Sequence, residues 1–169
     1  MTALAEQFTE VFREEHRGVR DALLDLIGAF EARDQAWAEA LLIRAAASVG
    51  PHFRYEEEAL YPALVEIFGE EYIERLFRDH DGAIGAAARL VELAGKDGLT
   101  DGDVAEAKRL LRGILPHVSD CDGLSIMVEV LREDTVRSIL AGRERSLAAG
   151  LDLLSWAREV RGRPITAPA

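Results

Sequence analysis

Histidine is scarce in this chain, and two of the four histidines share one local frame. His52 sits in "GPHFRYEEEALYP", residues 50–62, and His117 in "LPHVSDCDG", residues 115–123. In each, a proline precedes the histidine and carboxylates follow it. Side chains four apart on a helix stack on one face. His52 and Glu56 have that spacing, so an imidazole nitrogen and a carboxylate can meet the same cation. Glu57 is five residues on and points about 140° away on a regular helix. It reads as an outer-shell group, a ligand to a neighbouring ion or a solvated residue. After His117 the carboxylate Asp120 comes at three, Cys121 at four and Asp122 at five. Spacing alone favours Asp120 or Cys121.

The other histidines, His16 and His80, lie inside apolar stripes of helical period. A lone histidine in such a stripe is more often a satisfied core residue than a ligand. The halves of the chain echo one another, however. His16 to His80 spans 64 residues and His52 to His117 spans 65. That echo suggests two helical hairpins related by a pseudo-two-fold, with a site on the axis.

The elements that must carry these residues are helical. Phe8, Phe12, Val19, Leu23, Leu26 and Phe30 make a first stripe, closed by the polar break at 31–35. A second helix starts near Gln35, meets Gly50-Pro51 and runs on to Gly69. Pro51 is expected to kink this helix or to begin a new one, and Pro116 likewise suits a helix start. In the second reading each following histidine sits near a helix N-terminus, whose dipole favours neutral imidazole. A third helix covers about 70–94. The loop at 95–103 follows, with Thr100 or Asp101 as N-cap of a fourth helix that resumes after "DCDG" through Ile126 and Val130. A fifth, amphipathic segment covers about 134–160. It caps the bundle, dimerises or docks on a protein partner.

The 169 residues suffice for one domain with a sizeable core. The expected organisation is a single helical domain over 1–160, with the bundle at about 4–133, the extra helix at about 134–160 and a disordered tail at 161–169. A net charge of −11 disfavours binding to nucleic-acid phosphates. The lone Cys121 permits no internal disulfide, which fits a reducing compartment. No membrane-spanning stretch or signal-peptide pattern is evident, so a cytoplasmic location without membrane contact is expected.

One histidine in the first helix, "HFRYEE" in the second, one histidine in the third, and a histidine followed by acids in the fourth resemble the hemerythrin family. More narrowly, the chain is similar to the bacterial hemerythrin-like, or HHE cation-binding, proteins over about residues 8–131. "HFRYEE" with "LYPAL" after it is the most specific part. The resemblance implies an all-α, up-down-up-down four-helix bundle holding a non-haem di-iron centre, oxo- or hydroxo-bridged, with manganese or zinc as other occupants. The implied ligands are His16, His52, Glu56, His80, His117 and Asp122, with Glu56 and Asp122 bridging. It is the resemblance, not the spacing, that selects Asp122. Tyr55, Glu57, Cys121 and Asp120 are the additional or outer-shell candidates.

The chain departs from the oxygen carriers of that family. Leu76 and Ile84 stand four residues either side of His80, where a second histidine would be needed. Cys121 replaces a glutamate that many HHE members carry four residues after the last histidine. The implied function is a di-iron protein that binds or reacts with oxygen, nitric oxide or peroxide, in sensing, protection or iron handling. The alternatives are a peroxidase- or catalase-like enzyme and a metal-free regulatory or structural bundle.

Overall fold

The computed structural model describes residues 2–164. Helix α1 spans Ala3–Glu31. Helix α2, Gln35–Tyr55, runs through a π-helical turn at Glu56–Leu60 into α3, Tyr61–Phe68. Helix α4 spans Glu70–Ala94 and α5 spans Asp101–Asp122. Both α1 and α4 pack against α2 and against α5. With short connections between successive helices, the result is an up-down-up-down bundle. No strand occurs among the described residues, and no helix among them is long and apolar enough to cross a membrane.

Local chemistry explains the ends. Thr2 caps α1 by accepting from the Ala5 N–H at 3.2 Å, and Asp34 caps α2 by accepting from Trp37 N–H at 3.0 Å. Thr100 and Asp103 form a reciprocal capping box at the start of α5. Gly69, at φ 81°, lets α3 turn directly into α4. The two loops at the far end of the bundle are tied together. Gln35 Nε2 donates to the carbonyls of Ala94 and Lys96, and Arg33 donates to Leu99 O at 2.7 Å.

Two cores sandwich the histidine layer. The far core gathers Leu26, Phe30, Leu41, Leu90, Leu93 and Leu111 near those loops. The near core packs Phe8, Phe12, Tyr61, Leu64, Leu76 and Val136 at the opposite end. The histidine layer is therefore shielded by apolar side chains above and below.

Three expectations change. Pro51 and Pro116 lie inside α2 and α5 rather than starting helices, so neither His52 nor His117 stands at a helix N-terminus. The fourth helix ends at Asp122. A short α6, Ser125–Val128, buries Leu124 and Val128, leaving Ile126 and Val130 exposed. The segment expected at 134–160 is not one helix. Gly150 adopts φ 62° and closes α7, Glu133–Ala149, and Asp152 caps α8, Leu153–Glu159.

Both α7 and α8 pack on α2. Val136, Ile139, Leu153 and Trp156 are buried there, so the amphipathic face is covered by the chain's own bundle. The start of the expected tail is anchored, because buried Arg161 and half-buried Arg163 form ion pairs with Glu57, Asp81 and Glu74. The remainder of the expected tail, 165–169, lies outside the described residues.

Gly50 is where this appendage comes closest. A Cβ there would stand 2.4 Å from Leu151 O and 2.6 Å from Leu153 N. Both contacts are backbone and cannot rotate away. Gly50→Ala is therefore expected to push α8 off α2 and to destabilise the fold by about 1–3 kcal/mol. Urea unfolding monitored by Trp156 fluorescence checks this, and an unchanged midpoint would show that the close approach is dispensable.

Candidate metal centre

Each bundle helix contributes one histidine to a single buried layer. His16, His52, His80 and His117 are all at most 7% exposed. In three of them Nδ1 is hydrogen-bonded to an acceptor on the outer side. His16 Nδ1 donates to the Phe12 carbonyl at 2.8 Å. His52 Nδ1 donates to Glu15 Oε2 at 2.9 Å, and His80 Nδ1 to Glu57 Oε1 at 2.9 Å. His117 Nδ1 lies 3.4 Å from Asp79 Oδ2. An outer acceptor on one ring nitrogen fixes tautomer and ring orientation and leaves the other nitrogen to bind, a pattern typical of metal-ligating histidine. Ring packing helps hold the planes. Phe53 stacks on His80 at 3.6 Å, and Phe12 lies 4.3 Å from His16.

Glu56 occupies the middle. It is completely buried, and its two oxygens face different histidines. Oε1 lies 3.4 Å from His52 Nε2 and 3.9 Å from His16 Nε2, and accepts from Cys121 Sγ at 2.9 Å. Oε2 lies 3.2 Å from His80 Nε2. The donor atoms of His16, Glu56 and Cys121 all fall within 4.8 Å of one another, and so do those of Glu56, His80 and His117. Two neighbouring ligand groups thus share one carboxylate.

The π turn makes this arrangement. The Tyr61 N–H bonds to the Glu56 carbonyl, five residues back, so one extra residue is accommodated in the turn. His52, Glu56 and Tyr61 then all face inward. The Tyr61 hydroxyl lies 2.9 Å from His80 Nε2 and 3.6 Å from Cys121 Sγ. Glu57, expected to point away from His52, is held beside the layer by His80 and Arg161. Glu58 alone of the three glutamates is exposed, paired with Arg54.

Burial and mutual charge set the protonation. Burial disfavours a charged Glu56, yet His52 and His80 hold it well below the usual carboxylate range. Burial also disfavours a charged His52, but Glu56 and Glu15 outweigh it and push the imidazole up to about 10. This is the reverse of the depressed basicity expected from a helix dipole. His16 is lowered to about 4, by burial and by the neighbouring His52 charge. Burial, with Glu56 beside it, raises the Cys121 thiol well above its ordinary value.

A model of the hemerythrin HHE cation-binding domain matches residues 7–124, more than half of the chain. The protein belongs to this family. No curated protein and no solved structure matches the chain. The hemerythrin HHE match ends just after α5, so α7 and α8 lie beyond it. As a hemerythrin HHE domain, the bundle is a metal-ion-binding fold, and its residues fit that role. His117 Nε2 is buried with no hydrogen-bond partner among the described residues, and Glu56 Oε2 has none of good geometry.

Of the residues singled out in the sequence, the fold brings His16, His52, Glu56, His80, His117 and Cys121 together. It does not bring Asp122 into the cluster. Asp122 stands at the end of α5, partly exposed, 3.5 Å from Arg13. The cause is helical phase. Helix α5 stays α-helical past His117, so the residue four on, Cys121, faces inward. Among the described residues, only the end of α2 runs into a π turn, which rotates a fifth residue toward the layer. Asp120 is exposed on the Asp79 side of His117. Tyr55 lies outside the ring of ligand atoms, donating to Glu15 at 2.6 Å. Sequence reasoning missed Glu15, Tyr61, Asp79, Arg143 and Arg161. The available signals were the "EEH" and "RDH" pairing, which places an acid just before His16 and before His80, and Tyr61 within "LYPAL".

The shifts of the four histidines, His52 and His80 raised and His16 and His117 lowered, predict a stability optimum for the metal-free protein. His52 is raised, so its contribution is complete below about 6.5 and is lost as pH rises toward about 10. His16 is lowered, so its contribution is lost as pH falls from about 6.5 toward about 4. Denaturant midpoints of chelator-treated protein should therefore peak near pH 6.5. The His52→Gln variant should show a smaller alkaline decline, the remainder coming from His80, which is raised as well, and a wild-type profile flat on both sides would refute the coupling.

Proposed function

We propose that the protein holds two neighbouring metal ions, iron in the cell, and uses them to bind or react with a small oxidant such as oxygen, nitric oxide or peroxide. The carrying observation is Glu56, a fully buried carboxylate whose oxygens face two separate donor groups. Bundle cores build dinuclear carboxylate sites from inward side chains in this way. One half takes His16, His52 and Cys121. The other takes His80 and His117, with Glu56 common to both. Imidazole and carboxylate suit iron, manganese or zinc, and a thiolate favours iron or zinc over manganese.

A bound iron pair would supply one-electron redox chemistry toward the oxidant. The chain supplies the rest. Phe12 and Phe53 pack on the rings of His16 and His80 and hold them. Tyr61 Oη carries a buried proton next to both halves, within reach of His80 Nε2 and Cys121 Sγ. Burial and the neighbouring Glu56 keep that phenol protonated, with its pKa well above the ordinary value. An apolar cavity of about 70 Å³ reaches Phe53 from the far core, lined by Val49, Ala83 and Leu111 among others. Its size and lining suit a diatomic gas better than a polar substrate.

Elemental analysis and titration of the metal-free protein with ferrous ion under anaerobic conditions test this reading. About two ions per chain are expected, with a higher melting temperature on loading. Glu56→Gln should lose both ions. Cys121→Ser should weaken one, whereas Asp122→Asn should leave both. Wild-type protein that takes up no ion would overturn the proposal. Loss of an ion from Asp122→Asn but not from Cys121→Ser would overturn the thiol assignment alone.

A further inference from the structure

The stretch beyond α6 lies outside the family match, yet it reaches the outer side of the histidine layer twice. From α7, Arg143 Nε donates to Glu15 Oε1 at 2.7 Å. The other oxygen of Glu15 accepts from His52 Nδ1 and from the Tyr55 hydroxyl. Just past α8, Arg161 forks onto Glu57, with Nε to Oε2 at 2.9 Å and Nη2 to Oε1 at 2.8 Å. Glu57 Oε1 accepts from His80 Nδ1. The Arg161 side chain is only 2% exposed, and Nη2 also reaches Asp81 Oδ1 at 2.6 Å. One arginine therefore stands behind one histidine in each half, and the two relays share no residue.

We propose that Arg143 and Arg161 are positioning residues of the metal centre, through which the C-terminal extension sets the metal affinity of each half separately. The proposal rests on the metal-binding reading above. A glutamate held only by an imidazole N–H can rotate about its own side-chain torsions. A guanidinium in a fixed fork removes that freedom and presents the remaining lone pairs to the histidine. It also balances the carboxylate charge in a partly dry setting, so the carboxylate does not need to swing toward water or into the ligand layer. Loss of an outer-shell partner of a ligating histidine typically costs about 10–100-fold in metal affinity. Arg143 is thereby assigned to the His16–His52 half and Arg161 to the His80–His117 half. A purely structural role, anchoring α7 and α8 to the bundle, would instead lower stability without distinguishing the halves.

The test titrates full-length metal-free protein with Co²⁺ by calorimetry and follows the hyperfine-shifted, exchangeable imidazole N–H protons by NMR. Wild type is compared with Arg143→Gln, Arg161→Gln and the charge-conserving Arg143→Lys and Arg161→Lys. Each Gln variant should weaken one binding step by roughly 10–100-fold and leave the other within about twofold. Each should also speed solvent exchange of one shifted imidazole proton, a different one in the two variants. The Lys variants should fall between Gln and wild type, and they carry the same two criteria if a Gln variant does not fold. Equal weakening of both steps, or the same proton affected in both variants, would show a merely structural role and overturn the assignment. Wild-type binding in all four variants would overturn it as well. Wild-type protein that takes up no Co²⁺ would overturn the metal-binding reading itself, together with the assignment that rests on it.

Discussion

A carboxylate without solvent exposure at the centre of a helical bundle is the constraint around which this molecule is organised. Taking such a group out of water costs several kcal/mol unless charge and hydrogen bonds replace the solvent. Glu56 meets that demand with His52 and His80 on either side and the Cys121 thiol against one oxygen. The histidines in turn need acceptors for their second nitrogens. Those acceptors, chiefly Glu15 and Glu57, need cations behind them. The polar network therefore grows outward in shells until it reaches the surface.

That outward growth gives the appended helices a purpose beyond covering apolar surface. Helices α7 and α8 shield α2, and they do so by a backbone approach so close that only glycine fits at position 50. The same docking carries Arg143 and Arg161 to the outer carboxylates. Packing and electrostatics are thus coupled: whatever seats α8 on α2 also seats a guanidinium on Glu57. The two hydrophobic cores play the complementary part. By closing off the layer above and below, they keep the local dielectric low, which strengthens a satisfied network and penalises an unsatisfied one.

The departures from the oxygen-carrier pattern fall into place around this network. At the positions four residues either side of His80 stand Leu76 and Ile84, both buried as core. The ligand set is correspondingly lean in imidazole. On α5 a thiol takes the inward position, and the aspartate that follows turns toward Arg13 at the rim. In the proposed reading the two halves are therefore unlike in their donors, one with sulfur and one without.

The sequence by itself determined the helical class, the breaks at 31–35 and 95–103, a cap at Thr100 or Asp101 and the pairing of His52 with Glu56. These depend on periodicity and on neighbours within a few residues, which the order of amino acids states directly. It also carried the family resemblance, because four histidines in order survive as a pattern without coordinates. Only the tertiary structure decided the inward turn of Glu57 and Tyr61, since a π turn changes helical phase and nothing in "EEEAL" announces it. The inward position of Cys121 and the rim position of Asp122 followed the same logic in reverse, because α5 kept its regular phase. The outer shell was least legible. Glu15 and Arg143 are 128 residues apart, and Glu57 and Arg161 are 104 apart. Such contacts exist only once the helices have packed, because it is the direction of a side chain in space, not its place along the chain, that selects its partner.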